Sequence, residues 1–491
     1  MERINLYALY EITSKLEIDK ANRCLNLLQN VNYIDLKVYE FQTLDNFIKY
    51  LIKKAEEIKF LRDFYIGFKI AQIGKEFDLL KLTDEGILNI ELKSRGNEED
   101  FKNQLIKNSY YLKALSKPVY LFTYNASGNI LYELIDGDLV LTDAKHLLEV
   151  ISLLINVENI KIDDLFNPNL YLISPLNNTK RFLMREYFLT LHQFEIKNEI
   201  IDLSKKKHTK FFSISGKPGT GKTLLLFDLA LDLANHFKVC FIHCGILSKG
   251  HQKINDKTKI DVFSIKVVRE VNLNLYNYII FDETQRMFGR EFSYLQSHAF
   301  GLDKVFIFSY DSSQVLSRKE IRSNTSEKVE NIENIKKYNL KNKIRTNPNI
   351  ITFIQAMFEL DRKDKIIKSD DIKIYWSRNQ KHSLNLIKEL EKQGYKYIKY
   401  TPSFYEIGPM DKMPPSDNTH EVLGQEFDKV LVIIDDYFYY DRNVLVSYRH
   451  PNPDYLYFKM LYQSATRAKN MLAIIVQENK DVLTKLMGLL E

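Results

Sequence analysis

Ser215-Gly216-Lys217-Pro218-Gly219-Thr220-Gly221-Lys222-Thr223 decides the fold of this 491-residue chain. The stretch fits the pattern GxxxxGK[ST]. An apolar run, Phe211 to Ile214, precedes it, and an amphipathic run, Leu224 to Ala234, follows. Read as strand, glycine-rich turn and helix, this is a phosphate-binding loop. Its glycines let backbone N–H groups turn inward around phosphates, Lys222 adds an ammonium, and Thr223 offers a hydroxyl to Mg²⁺. Gly216, Pro218, Gly219, Thr220, Gly221, Lys222 and Thr223 are thus expected to hold a nucleoside triphosphate. A second apolar run, Tyr278 to Phe281, ends in Asp282-Glu283. A buried strand there delivers Asp282 to the Mg²⁺ shell beside Thr223, and Glu283 is placed to polarise the attacking water.

Working outward, the chain is too long for one core, and typical domain sizes imply about three domains. Boundaries are expected to give units 1–165, 166–347 and 348–491. From Thr190 to Arg345 strand–helix units repeat, which implies a parallel sheet covered on both faces. A second such series starts near Ile372, and the Pro/Asp-rich stretch Pro402–Asn418 reads as a loop within it. The fold class is α/β throughout. The apolar fraction of 45% and charged fraction of 27% are those of an ordinary globular protein. With no run of 18 apolar residues and no charged, apolar leader, neither a membrane span nor a signal peptide is expected. Three cysteines argue for a reducing compartment, the cytoplasm, and against disulfides. Cys240 and Cys244 flank His243 but read as core residues of a buried strand rather than metal ligands. A net charge of +6 is compatible with a polyanionic partner and too small to demonstrate one.

Further stretches accompany the loop in a definite order. Leu191-His192-Gln193 precedes it, and Asp282-Glu283-Thr284-Gln285-Arg286 and Phe308-Ser309-Tyr310-Asp311-Ser312-Ser313-Gln314 follow. Then come Leu340 to Arg345 with Asn347, Thr419-His420-Glu421 with Gly424-Gln425-Glu426-Phe427-Asp428, and Tyr462-Gln463-Ser464-Ala465-Thr466-Arg467-Ala468-Lys469. Together they resemble the motifs of a superfamily 1 helicase core, and within it the Schlafen group 3-like branch of DNA/RNA helicases, from about Thr190 onward. The resemblance implies two RecA-like lobes with ATP and Mg²⁺ between them. Gln193 would read the adenine, Gln285 and Arg286 would link nucleotide to nucleic acid, and Gln314 would sense the γ-phosphate. Arg345 and Arg467 would be arginine fingers, with Gly424 and Glu426 among the nucleotide contacts. Two departures stand out. Ser309-Tyr310 replaces the glycine usual before Asp311, and the intervals before Asp282 and Thr419 are short. Translocation or remodelling is therefore expected rather than processive unwinding.

Before the motor, Lys75-Glu76-Phe77-Asp78-Leu79-Leu80-Lys81-Leu82, Thr83-Asp84-Glu85-Gly86 and Ile87 to Ser94 read as a β-hairpin. Period two puts Glu91 and Lys93 on one face, within reach of Asp78. Two carboxylates and a lysine there would hold Mg²⁺ and orient a water for phosphodiester attack. This arrangement resembles the PD-(D/E)XK nucleases, with Asp78 as central acid and Glu91-Leu92-Lys93 as the ExK element, which implies an α/β restriction-endonuclease-like domain. The next helix carries Gln104, Lys107, Tyr110 and Tyr111, similar to the Gln/Tyr helix of some members, and Glu56 or Glu57 would be the upstream acid. ExK recurs at Glu57-Ile58-Lys59 and Glu195-Ile196-Lys197, so the hairpin around Glu91 carries the reading.

These expectations combine into an ATP-dependent nuclease–helicase with Mg²⁺, acting on DNA in preference to RNA, with a role in bacterial antiviral defence. A partner protein or a second copy of the chain fits such systems. Two other readings stay open. One is an ATP-gated switch whose N-terminal domain only binds nucleic acid or a partner; the other is an RNA-targeting nuclease–helicase.

Overall fold

A computed structural model describes residues 1–54, 61–70, 73–155, 161–166, 171–206, 209–341, 347–362, 370–403, 416–448 and 454–490. Contacts divide the chain into two compact units, Met1–Tyr171 and Leu172–Glu491.

The N-terminal unit is built on one six-stranded sheet. Its strands are β1 (Tyr65–Lys69), β2 (Glu76–Leu82), β3 (Ile87–Lys93), β4 (Val119–Asn125), β5 (Ile130–Ile135) and β6 (Asp138–Thr142), in that spatial order. The β2–β3 hairpin forms because Thr83 closes its turn: its N–H and Oγ1 both donate to the Gly86 carbonyl. β3 and β4 are parallel, so the chain must cross over between them. It does so through the helix Glu98–Leu112, whose first turn is capped by the Asn97 side chain. One sheet face buries Leu79, Leu88, Ile90 and Phe122 against the helices Val38–Ile52 and Ala144–Leu153. The opposite face carries Asp78, Glu91 and the crossover helix.

The second unit holds two parallel sheets. The first comprises β7 (Phe211–Gly216), β8 (Val239–His243), β9 (Ile260–Ser264), β10 (Tyr278–Asp282), β11 (Val305–Tyr310) and β12 (Lys336–Leu340). Its order is β12-β7-β11-β10-β8-β9. All five pairings are parallel, so the strands are buried and read as near-continuous apolar runs. The helix Lys222–Leu233 packs almost entirely inside, with Phe227 stacked on Phe241 at 4.0 Å. The second sheet orders β13 (Ile372–Ser377), β18 (Ala468–Gln477), β15 (Phe427–Ile434) and β14 (Lys396–Tyr397), again parallel. A hairpin of β16 (Phe438–Asp441) and β17 (Val444–Ser447) completes this lobe. No helix among the described residues is long and apolar enough to cross a membrane.

Candidate functional site

The strand order places the chemistry of the second unit. β11 lies between β7 and β10, so the loop leaving β7 and the carboxylate ending β10 flank the same strand end. Beyond such ends, parallel sheets bind their ligands. Gly221, with φ of +82°, turns the loop into the helix Lys222–Leu233, a conformation a side chain would strain. Lys222 Nζ rests on the loop's own carbonyls, 2.5 Å from Gly216 O and 3.3 Å from Lys217 O. Thr223 Oγ1 donates to Asp282 Oδ2 at 3.1 Å, and Ser309 Oγ donates to Asp282 Oδ1 at 2.7 Å. Burial would push the Asp282 carboxyl up, but the His243 ring 3.7 Å away, the Ser309 hydroxyl and the Lys222 ammonium hold it below the usual range. A hydroxyl and an ionised carboxylate side by side are hard oxygen donors that fit Mg²⁺.

Gly219, Lys222, Thr223 and Glu283 line one wall of a hollow whose other wall is Gly424, Glu426 and Arg467, with Gln314 between. Pro218, Thr220 and Gly221 also line it. Glu283 takes a left-handed φ of +57° and accepts from Gln285 Nε2 at 2.6 Å. Gln285 in turn accepts from the Asp311 N–H at 3.1 Å, and Gln314 donates to Asp311 at 2.6 Å. Arg467 is buried, and its Nη2 reaches Gln314 Oε1 at 3.5 Å, joining the two lobes. Burial pulls its pKa down, while Glu426 and Glu283 pull it up. The Glu426 N–H donates to Asn177 Oδ1 at 3.1 Å. Arg345 lies outside the described residues, as do Glu56 and Glu57.

Gln193 lies behind the phosphate loop. It is 1% exposed and forms a capping box with Thr190: its Oε1 accepts from the Thr190 N–H at 2.9 Å. Its Nε2 donates to Thr220 O at 2.9 Å, so both amide atoms are engaged within the protein and brace the phosphate loop from behind. The two cysteines are buried free thiols, with burial pushing both pKa values up.

In the N-terminal unit Leu79 pairs with Ile90, so one step along the ladder Asp78 faces Glu91. Lys93 Nζ lies 3.4 Å from Glu91 Oε2 and 3.9 Å from Asp78 Oδ2. Glu91 is 1% exposed and accepts four donors: Gln104 at 3.2 Å and Lys93 on Oε2, Asn108 at 2.7 Å and Asn89 at 3.4 Å on Oε1. Burial would push Glu91 up, but Lys75, Lys93 and the two asparagines hold it below the usual carboxylate range. Asp78 accepts from the Leu92 N–H at 2.8 Å. Its carboxyl, ringed by protein though a third of the side chain is exposed, is pushed up to about 7 by burial and the Glu91 charge. Burial opposes the Lys93 charge, but Glu91 and Asp78 outweigh it and raise its pKa, with Glu40 of the helix Val38–Ile52 adding to them. Two facing carboxylates suit Mg²⁺ in donor type, with Lys93 and Gln104 at present on Oε2.

Sequence reading missed Ser309, which it took only as a departure from a motif, and Asn89, Asn108, Lys75 and Glu40 around Glu91. Thr190-x-x-Gln193 is a capping signature legible in the sequence.

Residues 209–400 match the family model of the Schlafen group 3, DNA/RNA helicase domain. The match holds the phosphate loop, Asp282, Glu283 and Gln314, and stops before Gly424, Glu426 and Arg467. That stretch of the chain is therefore similar to a DNA/RNA helicase domain. No curated protein matches it. Among solved structures it is similar to the Pif1 helicase from Candida albicans, at 11% identity and a TM-score of 0.34, over 62% of this chain and 99% of that one. A helicase complex with DNA, arterivirus nonstructural protein 10, gives 11% and 0.33 over 58% and 65%. The Pyrococcus furiosus Hef helicase domain gives 10% and 0.30 over 61% and 97%.

Proposed function

We propose that the chain is an ATP-driven nucleic-acid translocase with two RecA-like lobes, fused to a PD-(D/E)XK-like domain that cleaves phosphodiesters with Mg²⁺, and that DNA is its substrate. The observation carrying the motor is the continuous chain of contacts from Glu283 through Gln285, Asp311 and Gln314 to Arg467. A nucleotide in the hollow takes over the Lys222 ammonium from the loop carbonyls and draws Arg467 from the far lobe onto its phosphates. Such a finger contributes roughly 10³–10⁵ in rate elsewhere. Thr223 and Asp282 would hold Mg²⁺, which would neutralise charge on the phosphates.

The same contacts lead outward to a nucleic-acid path. Arg286 Nη1 donates to Glu320 at 3.3 Å, and Glu320 accepts the N–H groups of Leu316 and Ser317. This anchors the helix Arg318–Ser323, which brings Arg318, Lys319 and Arg322 to a wide cleft between the lobes, opposite His420 and Tyr455. Burial and Arg286 pull His420 down to about 3, so it stands there as a neutral ring. Cations with aromatic faces suit a single strand.

In the N-terminal domain Glu91 and Asp78 would hold the metal, which lends its charge to the attacked phosphate, while Lys93 orients the water. A defence role in bacteria and a partner protein or second copy are part of the proposal. The four donors on Glu91 favour a second reading, in which this domain only binds and ATP sets its state. The test is degradation of linear DNA, and of matched RNA, with Mg²⁺, with and without ATP. Cutting lost in Glu91→Ala, and ATP hydrolysis stimulated by DNA, are the expected results. Wild-type protein that hydrolyses ATP regardless of nucleic acid and cuts nothing would sink the proposal and leave the switch.

A further inference from the structure

We propose that Asn177 is a positioning residue for ATP hydrolysis: its side-chain oxygen pins the peptide joining Gln425 to Glu426, whose carbonyl holds Arg467 at the hollow. The inference rests on the reading that Arg467 serves a bound nucleotide. It adds to that site a residue from the segment that leads into the motor, well before the phosphate loop.

One peptide unit is gripped at both ends. Its N–H, on Glu426, donates to Asn177 Oδ1 at 3.1 Å. Its carbonyl, on Gln425, accepts from Arg467 Nη1 at 3.2 Å. A peptide unit is planar, so fixing the direction of the N–H fixes the direction of the carbonyl. The other two nitrogens of the guanidinium reach Gln463 O at 3.3 Å and Gln314 Oε1 at 3.5 Å. The Gln425 carbonyl is therefore the shortest of the three contacts that aim Arg467. A backbone N–H only donates, which puts the oxygen of the Asn177 amide toward Glu426. The Ser174 hydroxyl donates to the same oxygen at 2.9 Å and holds the amide in that sense.

The segment that bears Asn177 is wedged in place. Leu172, Ile173, Ser174 and Leu176 are buried, while Asn177 itself is exposed. On one side Leu176 lies so near Gly250 of the helix Lys249–Lys257 that a Cβ there would overlap its carbonyl. On the other, Leu176 Cδ1 would lie 3.2 Å from a Cβ on Gly424, which takes a left-handed φ of +69°. The Asn178 N–H donates to Ser174 O at 2.8 Å and closes the turn that presents the amide. Farther along, Arg185 and Tyr187 both donate to Asp228 of the helix Lys222–Leu233. The segment thus runs from the helix behind the phosphate loop to the facing lobe. There Gly424 and Glu426 form part of the far wall of the hollow, and Asn177 sets the peptide between them and Arg467.

The experiment uses the full chain and reads steady-state hydrolysis of radiolabelled ATP beside binding of a fluorescent, slowly hydrolysed ATP analogue. An arginine finger acts on charge that develops in the transition state, so loss of its aim lowers kcat and spares nucleotide affinity. Asn177→Ala is expected to lower kcat by about 3–10-fold, the worth of one hydrogen bond, with analogue affinity unchanged. Asn177→Asp, which keeps the accepting oxygen, is expected to restore most of the rate. In an Arg467→Ala background Asn177→Ala is expected to cost nothing further, because a residue that acts through another has no effect once that one is gone. An unchanged kcat in Asn177→Ala, or an equal loss with and without Arg467, overturns the proposal. Should Asn177→Ala fail to fold, Ser174→Ala frees the amide to turn and is read in the same way. Arg467→Ala that hydrolyses ATP at the wild-type rate sinks the finger and the proposal with it. A slow Arg467→Ala beside an Asn177→Ala of wild-type rate sinks the positioning role alone.

Discussion

Lys222 Nζ donates to the Gly216 and Lys217 carbonyls and so ties the helix Lys222–Leu233 to the phosphate loop. Lys222→Ala is expected to lower ATP turnover by about 10²–10³-fold, the usual loss for one charge-stabilising donor. A steady-state ATPase assay checks it. Ser309 turns a departure from the motif into a function: its hydroxyl fixes the free oxygen of Asp282. Ser309→Ala should therefore weaken Mg²⁺ dependence by about 10–100-fold, as loss of an outer-shell partner does; a metal titration of ATPase rate measures it. Asp78 makes a pH prediction. Its folded pKa of about 7 lies above the value of 3.8 for an unperturbed aspartate, so its ionisation opposes folding. The associated stability is full below about pH 4 and is lost as pH rises through 7. Asp78→Asn removes that loss. It should raise the free energy of unfolding more at pH 8 than at pH 5, by something of the order of 1 kcal/mol once solvent screening is discounted, as denaturant unfolding at the two pH values measures. An equal shift at both pH values would contradict it.

Elements were legible where their signals are local. Alternation predicted the β2–β3 hairpin, and the repeat of apolar runs with amphipathic ones predicted the parallel sheets, because both signals arise within a few residues. The helix Leu191–Lys205 shows the limit. The family motif says nothing of the local bonds of Gln193, whose amide caps the helix and reaches Thr220 O across the phosphate loop. Close packing between elements has no sequence signal at all. Gly250 in the helix Lys249–Lys257 lies so near the chain at Leu176 that an added Cβ would sit 2.3 Å from that carbonyl oxygen. Gly250→Ala is expected to destabilise the second unit by roughly 1–3 kcal/mol, the usual cost of overpacking. Denaturant unfolding checks it, and a change below 0.5 kcal/mol would show that the segment yields freely.

At the scale of the whole molecule the two candidate sites lie on separate compact units. Asp78→Ala is expected to abolish DNA cutting and leave ATPase intact, and Lys222→Ala to do the opposite for metal-dependent cutting, with both read on one preparation of each variant. Loss of both activities in either variant would mean that the sites act only together. The sequence by itself determined the phosphate loop, the strand ending in Asp282-Glu283, and the hairpin bearing Asp78, Glu91 and Lys93. Each is a pattern written in consecutive residues, where turn geometry and side-chain period act directly. Only the tertiary structure decided what surrounds them. Ser309 meets Asp282 because β11 lies beside β10, Asn108 meets Glu91 because a crossover helix returns over β3, and Arg467 meets Gln314 because two sheets face one hollow. Those partners are far apart in the chain, and nothing but strand order and packing brings them within a hydrogen bond.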